Sequence, residues 1–428
     1  MRISGSPSSL FYDSKVMKKF LRSLLALVAI AALATVAYFA MSRAPAEQAA
    51  PNDPAQATDV TEKTPAPAAK SSSGEPATLT AAKTKVAFFE QRVAINSDDA
   101  ELHRKLANAL VARAAFTGDA ADYDRAWKEL DRADKLSPGE ERILIARATL
   151  LLARHRFGQA RTLAEQGLQK NPDSTDLMVI AGNGAINTGD IDGAEKIYRK
   201  FVDVAPDLLS SWAGLSQVAE LRGNFEEAAN LMQRAVKAGY EKPAEPSRIA
   251  WAMTILGEIE AKRDHTDLAR THYEMALQEF PDHPLALEFM ADLDQWEGHL
   301  AEAEAGYRKV LAIRPEPKVR LNLASLLERE GKKEEAAQMQ EESLRFYEWA
   351  VKGGNEGYLR PLATLDLAAG RYARAENLAA RELLLRPTVE SRLFYASIIK
   401  TAAASGQPVK ESSTAKNIVG YASERASN

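Results

Sequence analysis

An alanine returns at positions 126, 160, 194 and 228, and again at 269, 303, 336 and 375. Five of the seven intervals are about 34 residues and the other two run longer, so most of the chain is one motif repeated. A period of about 34 residues belongs to a helix–turn–helix unit that cannot bury its apolar face alone and must stack on copies of itself. The expected fold is therefore all-α, a solenoid that grows along one axis and offers a long surface rather than an enclosed pocket. An interaction surface follows from this more readily than a catalytic site.

The unit that opens near Leu209 shows why. Trp212, Leu215, Ser216 and Ala219 lie at i, i+3, i+4 and i+7, the stripe that one helix buries. Gly223 then permits a turn, and Ala228, Met232 and Ala235 form the stripe of a second helix. A small residue of the first helix precedes the alanine of the second by 12 positions in seven of eight units: 148/160, 182/194, 216/228, 257/269, 291/303, 324/336 and 363/375. Small side chains at both positions let the two helices approach closely. Prolines 138, 172, 206, 281, 315 and 387 each close a second helix, which proline cannot continue.

The segment Trp212-Ala213-Gly214-Leu215-Ser216, with the later alanine, tyrosine and proline positions, resembles the W-x2-L-G opening of the tetratricopeptide repeat family. Serine stands in the glycine place. The resemblance covers residues 81–387 and implies about eight helix pairs in a right-handed superhelix without strands. The first unit departs from it, with 19 residues between Ala107 and Ala126, which places seven extra residues in its inner turn around Phe116 to Tyr123. The linkers Gly239 to Ser247 and Lys352 to Gly357 are also lengthened. Thr80 to Asn96 reads as a lone leading helix and Val389 to Ala403 as a closing one, giving a repeat domain over 81–403.

Outside the repeats, Leu24 to Met41 is an 18-residue apolar run whose only polar member is Thr35. At 1.5 Å per residue it spans roughly 27 Å, enough for a bilayer core. Lys15, Lys18, Lys19 and Arg22 precede it in a basic segment over 1–23, so the chain after Met41 is expected to cross the membrane. The competing reading is a cleaved secretory peptide with Ala44-Pro45-Ala46 as its site. Met17 is an alternative start. Residues 42–80 are Ala-, Pro- and Ser-rich and read as a flexible tether, and 404–428 as a disordered tail. The expected setting is a bacterial inner membrane, with the repeats in the periplasm.

Little in the chain points to chemistry. There are no cysteines, which excludes disulfides and thiolate sites, and 55 basic against 59 acidic residues leave no electrostatic footprint for nucleic acid. The six histidines show no helical metal spacing, and Gly353-Gly354-Asn355-Glu356-Gly357 lacks the Lys-Ser/Thr of a phosphate-binding loop. Carboxylates such as Glu226, Glu227, Glu334 and Glu335 read as solvated helix faces. No cofactor, metal, catalytic residue or small-molecule substrate is expected.

In the resembled family the first helix of each pair lines the concave face. Carried onto this chain, that implies Arg104, Asn108, Asn183, Asn187, Gln217, Trp251, Glu258, Glu288, Asp292, Trp296, Lys318 and Arg329, with Glu220 and Lys262 beside them. Trp251 and Trp296 are the candidate anchors, since tryptophan is enriched at binding hot spots. Glu258 and Asp292 are expected to act as rim charges. The second unit offers Ala146, and the third Asp176 and Ile180, where a carboxylate clamp would need Lys, Asn or Arg. Phe88 to Leu110 loosely resembles the repeat domain of chaperones that hold apocytochrome c. The expected function is a non-enzymatic scaffold or chaperone for peptide or protein segments in the envelope. Its alternative is an accessory subunit of an exopolysaccharide or pilus export machine.

Overall fold

The computed structural model describes residues 77–242, 244–409 and 412. The apolar run 24–41 and nearly all of the tether lie outside the described residues, as does the tail beyond 409 apart from Ser412. Among the described residues no helix is long and apolar enough to cross a membrane. They contain eighteen α-helices, one 3-10 turn and no strand.

A leading helix, α1 (Ala77–Ile95), starts within the expected tether, and a closing helix, α18 (Val389–Ala404), caps the other end. Between them stand eight pairs. The first four are α2 (Ala100–Thr117) with α3 (Ala120–Leu136), α4 (Glu141–Ala153) with α5 (Phe157–Lys170), α6 (Thr175–Asn187) with α7 (Ile191–Val204), and α8 (Leu209–Leu221) with α9 (Phe225–Glu241). The others are α10 (Pro246–Lys262) with α11 (Thr266–Glu279), α12 (Pro284–Glu297) with α13 (Leu300–Ile313), α14 (Pro317–Arg329) with α15 (Lys333–Lys352), and α16 (Leu359–Ala368) with α17 (Tyr372–Leu385).

The alanine column is the seam of each pair: all eight of its members are 0% exposed. In the fourth pair the small partner, Ser216, donates its hydroxyl to the Ala228 carbonyl at 2.7 Å, so the polar atom is satisfied inside the contact. In the third, a Cβ on Gly182 would lie 2.5 Å from the Tyr198 ring, which is why the first helix has none there. α3, α5, α7, α11, α13 and α17 each stop two residues before their proline. The residue before proline is sterically pushed out of the helical region, so the chain must leave the helix there.

The insertion in the first unit is not a loop, as the sequence had implied. α2 and α3 have 18 and 17 residues, where α4 and α5 have 13 and 14, and only Gly118 and Asp119 separate them. Seven residues are close to two turns at 3.6 per turn. One added turn per antiparallel helix keeps both buried stripes in phase, so the hairpin lengthens without unpairing. Gly118 takes φ +74°, and Asp119 caps α3 by accepting from the Ala121 amide.

First helices of successive units touch one another directly (α2–α4, α4–α6, α6–α8, α10–α12 and α12–α14), whereas second helices, among the described residues, make no contact of that extent with one another. First helices therefore occupy the short inner track of the curve and second helices the outer one. Burial agrees. α6 buries ten of its 13 residues, but α7 only three of its 14.

Candidate functional site on the inner track

The inner helices of the fourth to seventh units, α8, α10, α12 and α14, bring together most of the residues marked as concave. Lys262, on the last turn of α10, pairs with Glu220 of α8 and, at 2.7 Å, with Glu258 one turn before it. On the next two inner helices, Lys318 of α14 donates to Glu288 of α12 at 2.6 Å. Asn322 Nδ2 donates to Asp292 Oδ1 at 3.2 Å, and the Tyr307 hydroxyl donates to the same oxygen at 2.6 Å. Four acids and two lysines thus form a ladder across four neighbouring helices.

These are not rim charges. Side-chain exposure is 2% for Glu258, 14% for Glu220 and 9% for Lys262. Burial raises the Glu258 carboxyl above its usual range, with Glu220 adding to it and Lys262 opposing. Burial pulls Lys262 down, but Glu258 and Glu220 outweigh it and hold the ammonium above its ordinary value. Lys318 behaves alike, with Glu288 and Asp292 as the opposing partners. Burial, and then Glu288, push the Asp292 carboxyl up to about 6, against Lys318 and its Tyr307 and Asn322 hydrogen bonds. The excess of acid over base, held where water is sparse, makes this stretch of the track a place that would gain from an added cation.

Asn183, Glu258 and Asp292 occupy one repeat position, directly after the small residue of the first helix. Tyrosines 198, 273 and 307 occupy the matching position of the second helix, 15 residues on. The Tyr198 hydroxyl donates to Asn183 Oδ1 at 2.8 Å, and Asn187 Nδ2 donates to the Asn183 carbonyl at 2.9 Å. Asn183 and Asn187 are therefore buried and already hydrogen-bonded within their unit, whereas the sequence had offered them as open contacts.

The two tryptophans separate. Trp251 packs, half-buried, on the apolar core shared by the fourth to sixth units, with a buried indole N–H that has no hydrogen-bond partner. Trp296, at the end of α12, is 47% exposed. Gln217 is half-buried on α8, and Arg329 is exposed at the end of α14. In the first unit Asn108 is half-buried, and Arg104 is held by Glu101 through bonds of 2.6 and 2.5 Å. That unit contributes nothing to the ladder.

Sequence reasoning overlooked the interunit pairing. Glu288/Lys318 and Asp292/Asn322 are each separated by 30 positions, one repeat less one helical turn, and that spacing was a usable signal. It also read most carboxylates as solvated helix faces, whereas Glu258, Glu288, Asp294, Asp366 and Glu382 are buried. Asp294, Glu297 and His299 converge closely enough to hold a metal ion, but Arg270 donates to Asp294 at 2.6 Å and Glu297 at 2.7 Å and already supplies the positive charge.

A family model described as tetratricopeptide repeat matches residues 145–208, 181–246 and 218–284, which run from α4 into the start of α12. The human protein O-mannosyl-transferase TMTC1 is 23% identical over 205 residues, 48% of this chain and 22% of that protein. Cellulose synthase operon protein C of Pseudomonas fluorescens is 26% identical over 173 residues, 40% of this chain and 14% of that protein. The chain thus spans less than a quarter of the length of either curated relative. Among solved structures, TTC0263 of Thermus thermophilus, a thermophilic protein of the same repeat type, is 24% identical with a TM-score of 0.39, covering 44% of this chain and 99% of that one.

Proposed function

We propose, from the premise that this chain is a tetratricopeptide repeat protein, that it binds an extended protein or peptide segment along the inner track of α8, α10, α12 and α14. The observation that carries this reading is the ladder of Glu220, Lys262, Glu258, Glu288, Lys318 and Asp292, with Trp296 exposed on α12. A track that holds four largely buried acids against two lysines favours a basic or amide-rich segment laid over it, and an exposed tryptophan supplies an anchor for an apolar or cationic side chain. The protein acts as a scaffold or chaperone without chemistry of its own. The apolar run 24–41 tethers it to a bacterial inner membrane with the repeats outside the cytoplasm, where it serves the assembly of an envelope complex.

A second reading makes the chain an accessory subunit of a polysaccharide synthesis or export machine. The 173-residue similarity to cellulose synthase operon protein C favours it. Copurification separates the two: the scaffold reading expects partners that are clients of assembly, and the accessory reading a synthase that turns over in the complex. A reporter active only outside the cytoplasm, fused after Asn428, tests the topology. Its silence would remove the tether and the periplasmic setting.

A further inference from the structure

Two of the three places where the sequence breaks its own period meet in space. The lengthened hairpin of the first unit ends at Gly118, whose carbonyl accepts from Asn355 Nδ2 at 3.0 Å, far along the chain in the lengthened seventh linker. The Phe346 ring lies against the same tip, so close that a Cβ on Gly118 would sit 2.6 Å from it. Arg314 donates to the Ala115 carbonyl at 3.1 Å and lies over the Phe116 ring at 5.5 Å. One unit further on, Arg156 pairs with Glu356 at 2.8 Å, and Arg386, itself buried, lies 5.5 Å over the Phe157 ring. In the third unit a Cβ on Gly189 would be 3.2 Å from the Pro387 carbonyl oxygen.

Each of these contacts joins one of the first three units to the chain about six units later, Arg314 to Ala115, Arg156 to Glu356, Phe157 to Arg386 and Gly189 to Pro387. One turn of the superhelix therefore closes on the next. Among the described residues, extensive helix packing stays within a unit or between successive units, so this closure rests on scattered contacts from linkers, helix ends and the Phe346 ring of α15. Contacts so few, set against the continuous packing between successive units, are what a cooperative array opens first.

We propose that this line of contacts is a latch: the closed turn seen here encloses the inner track, and the latch must part for a folded or bulky partner to reach it. The latch shares no residue with the acid–lysine ladder. Breaking it shifts the open–closed balance without touching the binding face. Two of the period-breaking segments, the hairpin extension and the seventh linker, then have one shared use.

The absence of cysteine from the chain makes the test direct. Spin labels at Ala121→Cys and Lys352→Cys, both exposed and beside the latch, report its opening. Separately, Gln217→Cys on α8 reports access to a maleimide-bearing polymer of about 5 kDa, a coil of roughly domain size. Removing two latch hydrogen bonds with Arg314→Ala and Asn355→Ala is expected to lengthen and broaden the label distance and to speed modification at Gln217→Cys by about fivefold or more. Circular dichroism checks that helix content is kept, and Asn355→Ala alone carries the same test should the double variant unfold. An unchanged label distance would overturn the proposal. So would a parent protein in which Gln217→Cys reacts as fast as Glu226→Cys on the outer face. Neither readout uses a partner, so the latch and the binding proposal fail independently.

Discussion

Replacing Lys262 with methionine keeps most of the side-chain volume and removes the charge that faces Glu258 and Glu220. Glu258 is 2% exposed and is left with no cation in bonding distance. Removing one partner of a buried pair costs about 3–5 kcal/mol, because the other charge stays buried alone. Here the loss has a ceiling, since the abandoned carboxylate can take up a proton. From an unfolded value near 4.3, protonating a glutamate at pH 7 costs about 2.7 pKa units, or about 3.7 kcal/mol. The expected loss is therefore about 3–4 kcal/mol at pH 7. At pH 5 the same protonation costs only about 1 kcal/mol, so the loss should shrink by more than half. Amide hydrogen exchange in α8, α10 and α12, compared at the two pH values after correction for intrinsic rates, reads this locally, which suits an array whose units need not unfold together. Adding Glu258→Gln to the variant should recover much of the loss at pH 7. Equal losses at pH 5 and pH 7, or a loss under about 1 kcal/mol, would refute the idea that a buried charge is being stranded.

Other expectations follow from particular contacts. Ala228→Leu should overpack the pair that Ser216 closes and cost about 1–3 kcal/mol, read as a lowered denaturation midpoint; an unchanged midpoint would mean the column is not a tight contact. Asp292, raised to about 6 from 3.8, binds its proton more tightly folded than unfolded, so its contribution is fully present below pH 3.8 and fades as pH rises through 6. Asp292→Asn should flatten that part of the stability–pH curve, and a curve of unchanged slope would sink the assignment. Trp296→Ala should weaken partner binding by about 2 kcal/mol and leave the melting temperature in place, as befits an exposed anchor. Trp251→Ala should instead lower stability, because its ring packs on the core of three units.

The repeat itself was open to sequence reasoning because it is local. The alanine that returns once per unit, its small partner one turn-and-a-half-hairpin earlier and the proline just past each second helix are short-range constraints. They fixed the pairs and even the capping helices to within a few residues. The insertion in the first unit was misread since length alone does not say whether residues extend a loop or two helices. The decisive fact was that the added length equals two helical turns. Asn183 and Glu258 stand on first helices, but whether such a side chain faces a partner or its own unit's tyrosine depends on the depth of the groove. Curvature sets that depth, and a period does not encode it. The same holds for Gly118 with Asn355 and Arg156 with Glu356, contacts that exist only because one turn descends onto the next.

The central claim is that partners lie on the inner track. A photoreactive phenylalanine analogue placed in living cells at Gln217 or Trp296, on α8 and α12, and at Glu226 or Glu334, on the outer α9 and α15, tests it most directly. The account predicts discrete crosslinked products from the two inner positions and none of comparable yield from the outer pair. Products confined to Glu226 and Glu334 would contradict it and move the binding surface to the convex side.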